Sequence, residues 1–166
     1  IDNRTEFGHW EADSVLSPHS GSSSLTVLVE RKTRFSYAFL SGTFGADAVD
    51  KAFIRLSRKL PPGAFKSVTC DQGKEFNHYA RLQEKLGIPI YFCDPHSPWQ
   101  KGTVENTNGL IRRAFPKGTN FAEVSAKDLH WKALYRINDT QREIVNWKSP
   151  HQCFRAECEA VFHLER

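Results

Sequence analysis

Three acidic residues stand where a fold could gather them: Asp13 in HWEADSV, Asp71 in VTCDQGKEF and Glu105 in WQKGTVENTNGLIRR. Asp13 and Asp71 close strand-like apolar runs, and Glu105 opens a helix-like one. Charged groups are rarely buried without partners. A single acid of this kind is more often a strand-end cap or an ion-pair partner, but three in such positions shift the balance. Hard divalent cations take oxygen ligands, and Mg2+ is held by a few carboxylates together with substrate phosphates. Two ions about 3.5–4 Å apart can stabilise both the attacking and the leaving oxygen of an in-line phosphoryl displacement. In that chemistry Asp13 bridges the metals, with Asp71 and Glu105 on the flanks. Like charges held so close repel, so the site should stay partly open until metal arrives. The layout points to Mg2+- or Mn2+-dependent cutting and joining of nucleic acid.

The neighbours of Glu105 suit a DNA substrate. In a helix, Arg112 shares a face with Glu105 and could pair with a phosphate. Asn106 and Asn108 offer amides to substrate or to loop backbone. Lys101, Trp99 and Arg113 complete the candidate DNA contacts, Trp99 as a lid or a stacking platform. Glu11, two residues before Asp13, reads equally as an alternative ligand or an exposed charge. Glu75 reads as a charge at a helix N-terminus. The histidines show no metal-ligand spacing.

The elements that must position these residues follow from pattern. His9 to Leu16 reads as a strand. Leu25 to Glu30 and Phe35 to Leu40 flank the basic turn RKTR as a hairpin. Ala46 to Leu60 has helical spacing and stops at Pro61-Pro62-Gly63. Lys66 to Cys70 is a fourth strand, Glu75 to Leu86 a helix closed by Gly87, and Ile88 to Cys93 a fifth strand. Asp94 to Gly102 is a loop, and Thr103 to Phe115 a helix. Ser125 caps a helix running through Trp131, Leu134, Tyr135 and Ile137, and Ser149-Pro150 opens a final one. The order predicts an α/β protein with a mixed five-stranded sheet: three antiparallel strands, then alternating helices and strands, with helices on both faces. Strands one and four can be neighbours there, placing Asp13 beside Asp71.

Composition narrows the class. With 166 residues, 39% hydrophobic and 12% aromatic, the chain fits one domain, residues 1–166, with a sizeable core. No apolar run approaches a membrane span, and IDNRTEFGHW is too polar for a signal peptide. The absence of an initiator Met suggests a fragment or a processed chain. Net charge is +4, too small by itself to indicate nucleic acid. The basic groups Arg31, Lys32 and Arg34, and Arg112, Arg113 and Lys117, each read first as solvated surface. Cys70, Cys93, Cys153 and Cys158 match no zinc pattern and read as free thiols of a reducing cytosol.

GHWEAD, TCDQGKEF and DPHSPWQKGTVENTNGLIRRAFPKGTNF together resemble the catalytic core of a D-D-E transposase, most closely the bacterial insertion-sequence family IS30. INDTQRE and NWKSPHQCF resemble degraded forms of its C-terminal motifs. Thr103-Val104 and Thr140-Gln141-Arg142 depart from its usual pattern. The resemblance covers nearly the whole chain. It implies a retroviral-integrase-like, ribonuclease-H-type fold. It also implies strand cleavage at element ends and transfer of the 3′ hydroxyl into target DNA, with Asp13, Asp71 and Glu105 as catalytic metal ligands. The expected partners are DNA and further copies of the chain, in the bacterial cytoplasm at the nucleoid, with no membrane. The family's N-terminal helix-turn-helix region is absent from this sequence, which would make it an excised core. Two other functions fit the acids: a ribonuclease-H-like nuclease or resolvase that only hydrolyses, and a non-catalytic DNA-binding module.

Overall fold

A computed structural model describes residues 4–17, 23–94 and 98–164, without the side chains of Pro98, Trp99, His163 and Leu164. Five strands form one sheet: β1 (His9–Leu16), β2 (Ser24–Glu30), β3 (Ser36–Ser41), β4 (Ser67–Cys70) and β5 (Ile90–Phe92), in the order β3-β2-β1-β4-β5. β1 to β3 are antiparallel, while β4 is parallel to both β1 and β5. The mixed five-stranded expectation is borne out, including the adjacency of strands one and four.

Strand alternation divides the core. From β1, Trp10 and Ala12 face a cluster with Leu28, Phe53, Leu56, Val68 and Phe154. This layer is covered by α1 (Ala46–Ser57), α2 (Tyr79–Leu86) and α6 (Pro150–Leu164). Leu25, Val27 and Val29 of β2 face the opposite cluster, with Val104 and Ile111 of α3 (Gly102–Ala114). Leu129 of α4 (Ala126–Leu129) and Ile137 of α5 (Tyr135–Asp139) complete it. Glu11 and Asp13 alternate with Trp10 and Ala12, so they lie on the α3 side. Gly8 permits the approach to β1: its φ is +99°, and a Cβ there would meet the Gly63 carbonyl oxygen at 2.8 Å.

Several predicted boundaries shift. The Glu75–Leu86 helix is broken into a 3-10 turn, Lys74–Phe76, and α2. Gly87, at φ 67°, caps α2 as expected. The loop before Glu105 contains a 3-10 turn, Pro98–Lys101, that runs directly into α3. Between α4 and α5 the helix widens into a π-helical turn, His130–Leu134. Leu129, Ala133, Leu134 and Ile137 face the core there, whereas Trp131 and Tyr135 are exposed. Both predicted caps form. Ser125 Oγ accepts from the Asp128 N–H, and Ser149 and Gln152 each accept from the other's backbone N–H. No helix among the described residues is long and apolar enough to cross a membrane.

Candidate functional site

The pairing of β1 with β4 brings the two aspartates together. Glu11 lies opposite Thr69 in this parallel pair, so Asp13 and Asp71 stand two residues further on at matching positions. Asp71 follows the last residue of β4, and Asp13 lies within β1 just past the stretch that pairs with β4, so both stand at the carboxyl end of that parallel pairing, where open α/β sheets bind ligands. Lys101, the residue before α3, places its ammonium between them. Nζ donates to Asp13 Oδ1 at 3.1 Å and to Asp71 Oδ2 at 2.8 Å. Asn108 Nδ2 donates to the other oxygen of Asp13 at 2.6 Å, and the Gly73 N–H donates to Asp71 Oδ1 at 3.0 Å. Burial opposes the charge on Lys101, but the two carboxylates outweigh it and raise its pKa.

Lys101 and Asn108 approach Asp13 from either side of Glu105. Glu105 is four residues after Lys101 and three before Asn108, on the same face of α3. It is exposed there, in the first turn. Among the described residues, Asp13, Asp71 and Glu105 do not converge closely enough to share one small ion.

Other predicted residues take different roles. Arg112 does not turn toward Glu105. Its Nη1 donates to the carbonyls of Phe115 and Pro116 at the end of α3, and its guanidinium lies over the Phe121 ring. The last carbonyls of a helix attract cations, and that nearby demand prevails. Lys101 is held by the aspartates rather than offered to solvent. Asn106 and Arg113 are exposed. The Trp99 side chain lies outside what the structure describes.

Glu11 is not exposed, and its carboxylate is engaged by the protein itself. It is fully buried, pairs with Arg31 at 3.2 Å, and accepts from the N–H groups of Thr103 and Val104, both at 2.9 Å. Arg34, also buried, donates from Nη1 to Thr103 Oγ1 at 2.7 Å. The RKTR turn is therefore not solvated surface. Two of its arginines anchor the start of α3, an arrangement that strand-turn patterning could not reveal because α3 arrives late in the chain. Glu75 is half-buried beside Gly73. Burial, then the charges of Asp71 and Asp13, raise its pKa, so it sits in the field of the pair.

Two features escape sequence reading. Asp47 and Asp50 of α1 gather around His78, just before α2, and this is the group of three potential ligands that converge most tightly among the described residues. It joins separate helices, so no spacing reports it. Beyond α3, Arg113, Lys132, Arg136 and Arg142 line a cavity of about 400 Å3 floored by Leu110, Ala133 and Ile137. Lys132 pairs with Asp128, and Arg142 Nη2 donates to the Ile137 carbonyl. The guanidinium groups of Arg113 and Arg136 make no ion pair among the described residues.

The paired aspartates fit a divalent cation: hard oxygen donors already gripping a positive charge. The fold is that of a retroviral integrase catalytic core, a ribonuclease-H-like sheet. It superposes on the crystal structure of the catalytic core domain of BIV integrase with a TM-score of 0.73 at 18% identity, covering 95% of this chain and 99% of that one. No protein-family model matches the chain. Transposase InsI for insertion sequence element IS30C of Escherichia coli K12 is 38% identical over 152 residues, 92% of this chain and 39% of that protein. The transposase for element IS1086 of Cupriavidus metallidurans is 38% identical over 92% of this chain and 44% of that protein. The chain belongs to this IS30 family of insertion-sequence transposases and spans about two fifths of the length of these curated relatives.

Proposed function

We propose that residues 1–166 act as the catalytic core of a DNA transposase, cleaving strands at element ends and transferring the 3′ hydroxyl to target DNA. The observation that carries this reading is the pairing of Asp13 and Asp71 around the Lys101 ammonium, beside the helix that presents Glu105. Asp13, Asp71 and Glu105 would hold two Mg2+ or Mn2+ ions. Bound metal supplies an activated nucleophile and charge neutralisation at the scissile phosphate. Asn108 orients the Asp13 carboxylate through its 2.6 Å hydrogen bond. Glu11 fixes the start of α3 against β1 and so sets where Glu105 stands. The cationic cavity of Arg113 and Arg136 receives DNA backbone by charge. Joining two ends calls for two active sites, so copies of the chain work together on DNA, in the cytoplasm.

The test is an Mn2+-dependent assay with pre-cut element-end DNA, comparing the chain with Asp71→Asn. Joined products that vanish in the variant are expected. Hydrolysis without joining would replace this reading with the simple nuclease. Full activity in Asp71→Asn would remove the acids from the chemistry and leave a non-catalytic binding module.

A further inference from the structure

Lys101 poses a problem for any metal at this site. All four carboxylate oxygens of the aspartate pair already have protein donors: Lys101 on one oxygen of each, Asn108 on the second of Asp13, and the Gly73 N–H on the second of Asp71. The two oxygens that face each other, and that a shared ion must take, are the two on Nζ. An ammonium and a divalent ion cannot occupy that space together, because like charges so close repel strongly.

The lysine head, buried between the aspartates, sits on a stem that can carry it away. Its ammonium is a compact, strongly hydrated charge on a flexible four-carbon stem. It stands at the junction of the Pro98–Lys101 turn with α3, and the turn is tied down independently, by Gln100 bonding to Asp94 at 2.8 and 2.9 Å. The N–H groups of Thr103 and Val104, in the first turn of α3, donate to Glu11. Neither the turn nor the helix therefore depends on the lysine head.

We propose that Lys101 is a displaceable internal cation. In the metal-free protein its ammonium holds Asp13 and Asp71 together; on metal loading it leaves them and pairs with a phosphate of the bound DNA. This rests on the reading of Asp13 and Asp71 as metal-binding carboxylates. Lys101 is thus a positioning residue before loading and a phosphate contact after it. One side chain neutralises two carboxylates that would otherwise repel one another.

The test uses the whole chain, with Mn2+ as the probe. Lys101→Met should bind Mn2+ about tenfold more tightly than the unmodified chain, since no internal charge competes. Without metal the variant should melt at a lower temperature, and Mn2+ should raise its melting point more than it raises that of the unmodified chain. DNA cleavage at saturating Mn2+ should nonetheless show a raised KM for DNA, which Lys101→Arg restores in part. A second measurement needs no variant: acetylation of Lys101 by an amine-reactive ester, followed by mass spectrometry, should accelerate about tenfold when Mn2+ is added. Unchanged or weaker Mn2+ binding in Lys101→Met, or unchanged acetylation, overturns the placeholder while the metal reading stands, provided Asp71→Asn abolishes Mn2+ binding. If the unmodified chain binds no Mn2+, or Asp71→Asn binds it as well, the metal reading fails and the placeholder fails with it.

Discussion

Glu11 accepts a hydrogen bond from the backbone N–H of Thr103 at 2.9 Å, across 92 positions of sequence. Through that contact a charge in the first strand holds the helix that carries Glu105. Glu11→Ala would leave Arg31 buried beside an empty space and two helix N–H groups without acceptors. A loss of about 3–5 kcal/mol in unfolding free energy is expected by urea denaturation. Glu11→Gln, which keeps an acceptor oxygen, should lose less. A change below about 1 kcal/mol for the alanine variant would show that α3 is held by its apolar face alone.

Asn108 should act on catalysis more than on folding. Its amide touches Asp13 at a partly exposed position, so Asn108→Ala should cost only about 1 kcal/mol of stability. Misorienting a metal-binding carboxylate typically costs about 10–100-fold in metal affinity or activity. Paired melting and Mn2+-dependent cleavage measurements check the split; equal proportional losses in both would make Asn108 a purely structural residue.

The cationic cavity predicts a salt signature. Arg136→Ala should weaken DNA binding at every sequence tested and lower the slope of log K against log salt by about 1. Mn2+ affinity should not move. Fluorescence anisotropy across a salt series reads both, and an unaltered slope would take Arg136 off the DNA path.

Glu6 predicts an acid limb in stability. A hydrogen bond from Lys66, and then the neighbouring His9 ring 3.2 Å away, hold its carboxyl at about 2, below the usual 4.5. A lowered folded-state pKa contributes stability that is present above 4.5 and lost as pH falls toward 2. Glu6→Gln should flatten that limb in melting temperature against pH. Because Glu6 is exposed, the difference should be small and should shrink in high salt. Identical acid limbs in both proteins would show the pairing to be without thermodynamic effect.

Much of this was legible from local pattern. The hairpin around RKTR, the cap at Gly87, the Ser125 and Ser149 caps and the mixed sheet all follow from periodicity and turn chemistry, which act between near neighbours. The adjacency of Asp13 and Asp71 followed as well, since only a few sheet orders suit that succession of strands. The long motif around Glu105 carried the family. Helical phase alone places Arg112 beside Glu105, whereas the carbonyls that follow α3 take its guanidinium.

The sequence by itself determined which residue types were present to do chemistry, the elements that carry them and the order of those elements. The tertiary structure alone decided which charges were partners. Glu11, Arg31, Arg34 and Thr103 are adjacent only because α3 crosses the β1–β2 face. Lys101 lies between two aspartates only because parallel register aligns their strands. Periodicity encodes which side of an element faces inward. It does not encode what stands opposite, and for a charge in a low-dielectric interior the group opposite settles whether it is an anchor, a ligand or a placeholder.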